Sequence, residues 1–182
     1  MRKWYKYQLV PRRGNNPNQL SDSGFAKYAA QMGGYDADIE SYSSKDAFLK
    51  RWFFGYHDRR LEYYDEFLRK YLDRREETLF IGSGRCANEV RLLEDGYRVV
   101  CSDLQKPDSF VSLQRLFPSL SFFNLDILAT PAPKLFDTIV VLGVIYNFDG
   151  DEIERFFKFV AASLKPNGHL ILDSAGSADN IL

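Results

Sequence analysis

The sequence is poor in the residues that build disulfide frameworks and metal sites. Among its 182 residues there are only two cysteines, Cys86 and Cys101, and two histidines, His57 and His169. Two cysteines make no disulfide scaffold. Neither the CxxC nor the HExxH spacing of zinc sites occurs. We therefore expect neither a disulfide-stabilised protein nor a metal site.

Long apolar runs and blocks of one charge are also missing. No segment approaches the roughly 20 apolar residues of a membrane-spanning helix, and no signal-peptide apolar run follows the basic start. Lys plus Arg exceed Asp plus Glu by 15 to 11 in residues 1–76 and fall short by 9 to 14 in residues 77–182. No basic arm of the nucleic-acid-binding kind appears. We expect a cytoplasmic protein without a membrane or nucleic-acid partner.

The chain divides into two parts by pattern. Residues 1–56 combine a loop-like start, rich in Pro, Gly and Asn, with short helical patterns, and we expect an N-terminal arm and a helical lid there. Residues 57–182 form the core, which opens with apolar residues at helical spacing from 58 to 72. After residue 77, short apolar runs alternate with helical stretches, as in a parallel α/β sheet.

The predicted elements of the core follow from these alternating patterns. Strands are predicted at 78–81, 98–101, 121–124, 137–142 and 169–172. Helices are predicted at 87–95, 109–117 and 151–164, the last ended by Pro166 and Gly168.

A glycine-rich loop, Gly82-Ser83-Gly84-Arg85-Cys86, joins the first predicted strand to a helix. Glycines let the backbone approach a ligand, and the helix N-terminus offers free N–H groups to it. Asp103 follows 19 residues after Gly84, where a carboxylate can accept hydrogen bonds from ribose hydroxyls. The pair predicts a nucleotide-type site but fits a dinucleotide as well as S-adenosylmethionine (SAM).

Three later segments favour SAM over a dinucleotide. A strand at 121–124 leads to Asp126, Phe136-Asp137 opens an apolar strand that leads to Gly143, and Leu164-Lys165-Pro166-Asn167-Gly168 precedes the last strand. In this order the sequence resembles class I SAM-dependent methyltransferases over about residues 58–174. The resemblance implies an α/β fold, a doubly wound, mainly parallel Rossmann-like sheet with helices on both faces and an N-terminal helical segment.

The resemblance also implies the cofactor SAM, methyl transfer to a small-molecule acceptor, and a set of cofactor-binding positions. These positions are Gly82, Ser83, Gly84, Asp103, Leu104, Asp126, Ile127 and Gly143. The loop residues would meet the methionine end, Asp103 the ribose hydroxyls and Leu104 the adenine. Asp126 and the backbone of Ile127 would meet the adenine edge, and Gly143 would lie beneath the sulfonium. Asp126 could instead cap the turn that follows it.

Candidates for the acceptor side are less specific. Tyr146 and Asn147 follow the fourth strand and could orient an acceptor hydroxyl or amine. His57 is the one candidate general base outside the core. Each residue also has a plainer interpretation, because an aromatic residue in such a loop packs under a lid and a histidine before a helix often caps it. Asp137, at the start of a buried strand, is expected to be structural.

The sequence departs from the family pattern in three places. Phe80 stands where the family usually has an acid two positions before the first glycine, and Cys86 replaces the third glycine of the loop. The sequence also stops ten residues after the fifth strand, where the family usually adds a helix and two antiparallel strands. We therefore expect an abbreviated chain or part of a longer one, whose edge strand needs cover from the N-terminal segment, a homodimer or a partner.

These departures keep two other functions open. One is a non-catalytic SAM-fold module that serves as a binding or partner subunit. The other is a nicotinamide-dependent oxidoreductase, disfavoured because no Tyr-x-x-x-Lys or comparable catalytic pair follows the cofactor region.

Overall fold

A computed structural model of the protein describes residues 58–84, 86–106 and 110–173. Its helices are α1 (Asp58–Tyr71), α2 (Ala87–Glu94), α3 (Phe110–Leu116) and α4 (Gly150–Ser163), with a 3-10 turn at Ile145–Asn147. Its strands are β1 (Glu77–Ile81), β2 (Arg98–Asp103), β3 (Ser121–Asn124), β4 (Phe136–Val141) and β5 (Leu164–Leu172). Every core element predicted from the sequence is present.

The strands form one sheet in the order β3-β2-β1-β4-β5, and all four neighbouring pairs are parallel. The chain runs outward from β1 to β3 and then returns to the other side of β1 for β4. The order reverses at this point, and open α/β sheets bind ligands in a crevice at the carboxyl ends of the strands there. The predicted Rossmann-like α/β fold is confirmed.

Two apolar cores cover the two faces of this sheet. On one face, α1 with the residue directly after it, α2 and α3 contribute Leu68, Leu72, Val90, Leu92, Phe110 and Leu113, which pack against Phe80 and Cys101. On the other face, α4 contributes Phe156, Phe159 and Val160, which pack against Leu79, Ile81, Ile139 and Val141. Successive strand side chains point to opposite faces, so buried apolar residues without polar alternation mark a strand covered on both sides.

The start of β5 differs from the prediction. Helix α4 ends at Ser163 and β5 begins directly at Leu164, which pairs with Phe136, whereas the expected strand began at residue 169. The next pair is Thr138 with His169, so the register shifts between the two pairs. The turn residues 165–168 thus form an irregularity within the strand. Such bulges let a strand keep its pairing while extra residues loop out.

Several predictions lie outside the described residues. Residues 1–57 and 174–182 are not among the described residues. The predicted arm, the predicted lid and His57 fall in the first of these segments. β5 is an edge strand of the described sheet, and its expected cover stays a prediction. Within the described ranges, no helix has the length and apolar character needed to cross a membrane.

Candidate cofactor site

The glycine loop follows β1 at the carboxyl edge of the sheet, as predicted. Gly82 and Gly84 have φ values of 73° and 50°, in the left-handed region that favours glycine. A side chain added at Gly84 would meet no heavy atom within 4 Å, so this part of the loop borders open space. A ligand can therefore approach the backbone at Gly84 closely.

Gly82 is required for a different reason. A Cβ atom built there would lie 2.2 Å from Cγ2 of Val144, in the loop after β4. The loops after β1 and β4 therefore touch at this point. Gly82 thus allows the two loops to pack closely, whereas Gly84 borders open space.

Asp103, the last residue of β2, ties the loop to its neighbouring strand. One carboxylate oxygen accepts a hydrogen bond from the Gly84 N–H at 2.9 Å, and the other accepts from the Leu104 N–H at 2.8 Å. The Leu104 side chain remains 64% exposed, which is unusual for a leucine beside a buried strand. A polar acid and an exposed apolar side chain thus stand together at this strand end.

Ser83 is held inside the loop rather than offered to a ligand. Its hydroxyl donates to the Phe80 carbonyl at 3.3 Å and accepts from the Ser102 N–H at 3.2 Å. The Ser102 hydroxyl donates to the same carbonyl at 2.7 Å. Phe80 itself is buried in the core, so hydroxyl groups tie the loop to β1 and β2 where the family has an acid on β1.

Asp126 and Ile127 follow β3 at the same edge of the sheet. One Asp126 carboxylate oxygen accepts from the Leu128 N–H at 2.9 Å, so this residue does cap its own turn. Its side chain is nevertheless exposed, and the Ile127 side chain is buried against the β4 and α4 core. The β2 and β3 ends are joined by the Leu125 N–H, which donates to the Asp103 carbonyl at 2.8 Å.

Gly143 is positioned by an acid that the sequence analysis missed. Its N–H donates to a carboxylate oxygen of Asp173, directly after β5, at 2.5 Å. The other Asp173 oxygen accepts a hydrogen bond from the Tyr64 hydroxyl on α1. Asp173 could have been found from its place alone, because it directly follows a strand at the edge where Asp103 also lies.

Tyr146 and Asn147 lie in the 3-10 turn that follows Gly143. The backbone places this turn next to the loop that touches Gly82, and the Asn147 side chain is exposed. Asp137, by contrast, is structural as expected: its carboxylate accepts from the Glu77 N–H at 2.9 Å and pairs with Lys165. Within the described residues, no group of three His, Cys, Asp or Glu side chains could hold a metal ion.

The other missed residue is Glu89, in the first turn of α2 directly behind the glycine loop. It is only 3% exposed, and burial raises the pKa of its carboxyl to about 7, with the charge of Asp103 adding to the rise. Hydrogen bonds from the Ser83 hydroxyl and from the N–H groups of Asn88 and Glu89 itself lower the pKa of this carboxyl. The signal was helical spacing: Glu89 lies three residues after buried Cys86 and next to buried Val90.

Cys86 occupies the position of the third glycine with glycine-like backbone. Its φ of 58° lies in the left-handed region, so the loop keeps its course although the residue has a side chain. That side chain is fully buried, as is Cys101 on β2. Burial raises the pKa of both thiols, which keeps them neutral.

Comparison with known proteins agrees with this geometry. A family model described as a methyltransferase domain matches residues 79–172, the segment from β1 to the end of β5. The chain therefore belongs to this methyltransferase domain family, within the SAM-dependent class of Rossmann-like fold. No curated protein matches the sequence.

Solved structures of methyltransferases share the fold. N-methyltransferase NodS from Bradyrhizobium japonicum WM9 is 25% identical, with a TM-score of 0.54 over 67% of this chain and 72% of that one. A Burkholderia thailandensis 1,6-didemethyltoxoflavin-N1-methyltransferase is 19% identical, with a TM-score of 0.57 over 92% of this chain and 69% of that one. The glycopeptide N-methyltransferase MtfA is 19% identical, with a TM-score of 0.51 over 64% of this chain.

The matched length is partial in the last case. The chain spans 54% of MtfA, a little over half of that protein. The likenesses to MtfA and to the Burkholderia thailandensis enzyme, both at 19% identity, concern the fold alone.

Proposed function

We propose that this chain binds SAM at the carboxyl ends of β1, β2 and β3 and transfers its methyl group to a small-molecule acceptor. One observation carries the proposal: the Gly84 backbone borders open space and is held at 2.9 Å by the carboxylate of Asp103. An open stretch of backbone and a carboxylate that would bind the ribose therefore lie side by side, in a chain that belongs to a methyltransferase domain family.

The residues of the crevice fit the parts of this cofactor. Gly84 leaves room for the methionine end, since a side chain there would enter open space, and Gly82 lets the loop backbone pass close to Val144. Asp103 has carboxylate oxygens for the ribose hydroxyls, and exposed Leu104 offers an apolar surface to the adenine. Asp126 and the Ile127 backbone would meet the adenine edge, since both follow β3 at the same sheet edge.

The chemistry asks little of the protein beyond orientation. When bound, SAM would supply a methyl group on a positively charged sulfur, and this sulfur would be the leaving group, as a neutral thioether, for an acceptor lone pair that attacks the methyl carbon. Positioning and exclusion of water can supply much of the rate of such a displacement. Gly143, fixed through Asp173 to β5, would hold the loop beneath the reacting sulfur.

The acceptor would bind on the side of the 3-10 turn after β4. Tyr146 and Asn147 lie there and could orient an acceptor hydroxyl or amine, with His57 as a candidate base. Residues 1–56 would supply the lid, because α1, which follows them, already reaches the carboxyl edge through the Tyr64 contact with Asp173. NodS, the 25% identical neighbour, is called an N-methyltransferase, so amines are the first acceptors to test.

Two glycine variants give a matched test of cofactor binding. Gly84 and Gly96 both have positive φ, at 50° and 82°, and a Cβ atom would meet nothing within 4 Å at either position. Alanine therefore imposes a comparable backbone cost at both, about 1–2 kcal/mol, but only Gly84 borders the proposed site. Calorimetric titration with S-adenosylhomocysteine (SAH) should show micromolar binding to the wild type, retained in Gly96→Ala and lost in Gly84→Ala.

Other outcomes would select the alternative functions. Binding of NAD without SAH would indicate a nicotinamide-dependent oxidoreductase and overturn the proposal. SAH binding without methyl transfer from radiolabelled SAM to any of a panel of amines, hydroxyls and thiols would favour a non-catalytic module. Equal losses in the two glycine variants would show that Gly84 acts through folding and not through the ligand.

A further inference from the structure

Two buried acceptor atoms lie behind the glycine loop without a donor. Among the described residues, Glu89 Oε2 and Asn88 Oδ1 are buried and accept no hydrogen bond. Buried polar groups are nearly always paired, and leaving one unpaired costs about 1–3 kcal/mol. Both atoms belong to the first turn of α2, which directly follows the glycine loop.

The Glu89 carboxyl group faces the loop. It interacts with the Ser83 hydroxyl and with the charge of Asp103, and these residues lie in the loop and at the adjacent strand end. Helix α2 packs against β2, and only 3% of Glu89 is exposed to solvent.

The loop itself lacks the acid expected there. Phe80 occupies the position on β1 where the family usually carries a carboxylate, and its side chain is buried in the core beside Cys86. Glu89 is the carboxylate that reaches the same loop from the following helix.

We propose that Glu89, assisted by Asn88, is the acceptor for the ammonium group at the methionine end of the cofactor. This inference rests on the proposed function. The ammonium group carries three N–H donors and a positive charge, so it matches two unpaired acceptors of which one is a carboxylate. Glu89 is a binding residue in this role and takes no part in the transfer of the methyl group.

The test compares two ligands that differ only at the methionine end. SAH carries the ammonium and carboxylate groups, whereas 5′-methylthioadenosine has the same nucleoside and thioether without them. Glu89→Gln removes the charge but keeps the size and an acceptor oxygen. Glu94→Gln, an exposed position on the same helix, is the control.

We expect Glu89→Gln to weaken SAH binding about tenfold, as for loss of a charge-assisted hydrogen bond, and to leave methylthioadenosine binding within about twofold of the wild type. Glu94→Gln should change neither. Equal weakening of both ligands, or unchanged SAH affinity, would overturn the role of Glu89. Failure of the wild type to bind either ligand would instead remove the proposed function and this inference with it.

A measurement on the unmodified protein keeps the proposal testable even if the Gln variant unfolds. The titratable groups around Glu89 are Asp103, Cys86 and Cys101. The thiols stay neutral, and Asp103 would contact the ribose that both ligands share. The ratio of SAH to methylthioadenosine affinity should therefore fall as pH drops below about 7, when Glu89 becomes protonated. A ratio independent of pH would contradict the proposal.

Discussion

Replacing Glu89 with glutamine should change how the stability of the ligand-free protein depends on pH. The carboxyl group is fully buried, and burial raises its pKa from 4.5 to about 7. A raised pKa means that the folded state binds the proton more tightly than the unfolded state. Stability from this group is therefore fully present below pH 4.5 and is lost as pH rises through about 7.

The size of the effect follows from the shift. Each pKa unit corresponds to about 1.4 kcal/mol, so a rise from 4.5 to about 7 corresponds to a loss of about 3 kcal/mol across this window. Glutamine does not titrate, so the loss should be missing from Glu89→Gln. Relative to the wild type, the variant should gain up to about 3 kcal/mol of unfolding free energy between about pH 4 and pH 8.

Urea unfolding followed by circular dichroism at several pH values measures this difference. Taking wild type minus variant at each pH cancels the titration of the shared groups that do not interact with Glu89. Glu94→Gln should run parallel to the wild type because Glu94 is exposed. A difference between wild type and Glu89→Gln that stays constant within about 0.5 kcal/mol, or changes in the opposite direction, would refute the burial of a proton-binding Glu89.

Three further variants test the fold around the site by urea unfolding. Gly82→Ala should cost at least about 2 kcal/mol, because it adds left-handed strain to an overlap with Val144 at 2.2 Å; wild-type stability would contradict the contact between the two loops. Asp149→Ala should cost about 1 kcal/mol by removing the capping box with Glu152 at the start of α4; an unchanged midpoint would argue against it. Gly168→Ala should also destabilise, since its Cβ would lie 2.8 Å from a backbone oxygen of β4, and a neutral result would show that the β5 irregularity relaxes.

The fold could be predicted because its signals are local. Apolar runs, helical spacing and the turn residues around Gly82 and Gly84 each act within a few residues, and their order along the chain is that of a doubly wound sheet. The same holds for Asp103, whose place at a strand end is visible in the sequence. The start of β5 was missed because Pro166 and Gly168 look the same in a turn between elements as in an irregularity within a strand.

What the sequence determined by itself is therefore the succession of strands and helices along the chain, the glycine loop and the family. The tertiary structure decided that Glu89 is buried, because helical spacing puts it on the apolar side of α2 but does not show that a carboxylate there is covered. It likewise showed that Cys86 takes a glycine conformation and that Asp173 holds Gly143, since contacts between distant residues depend on how the strands are brought together and not on their neighbours in the chain.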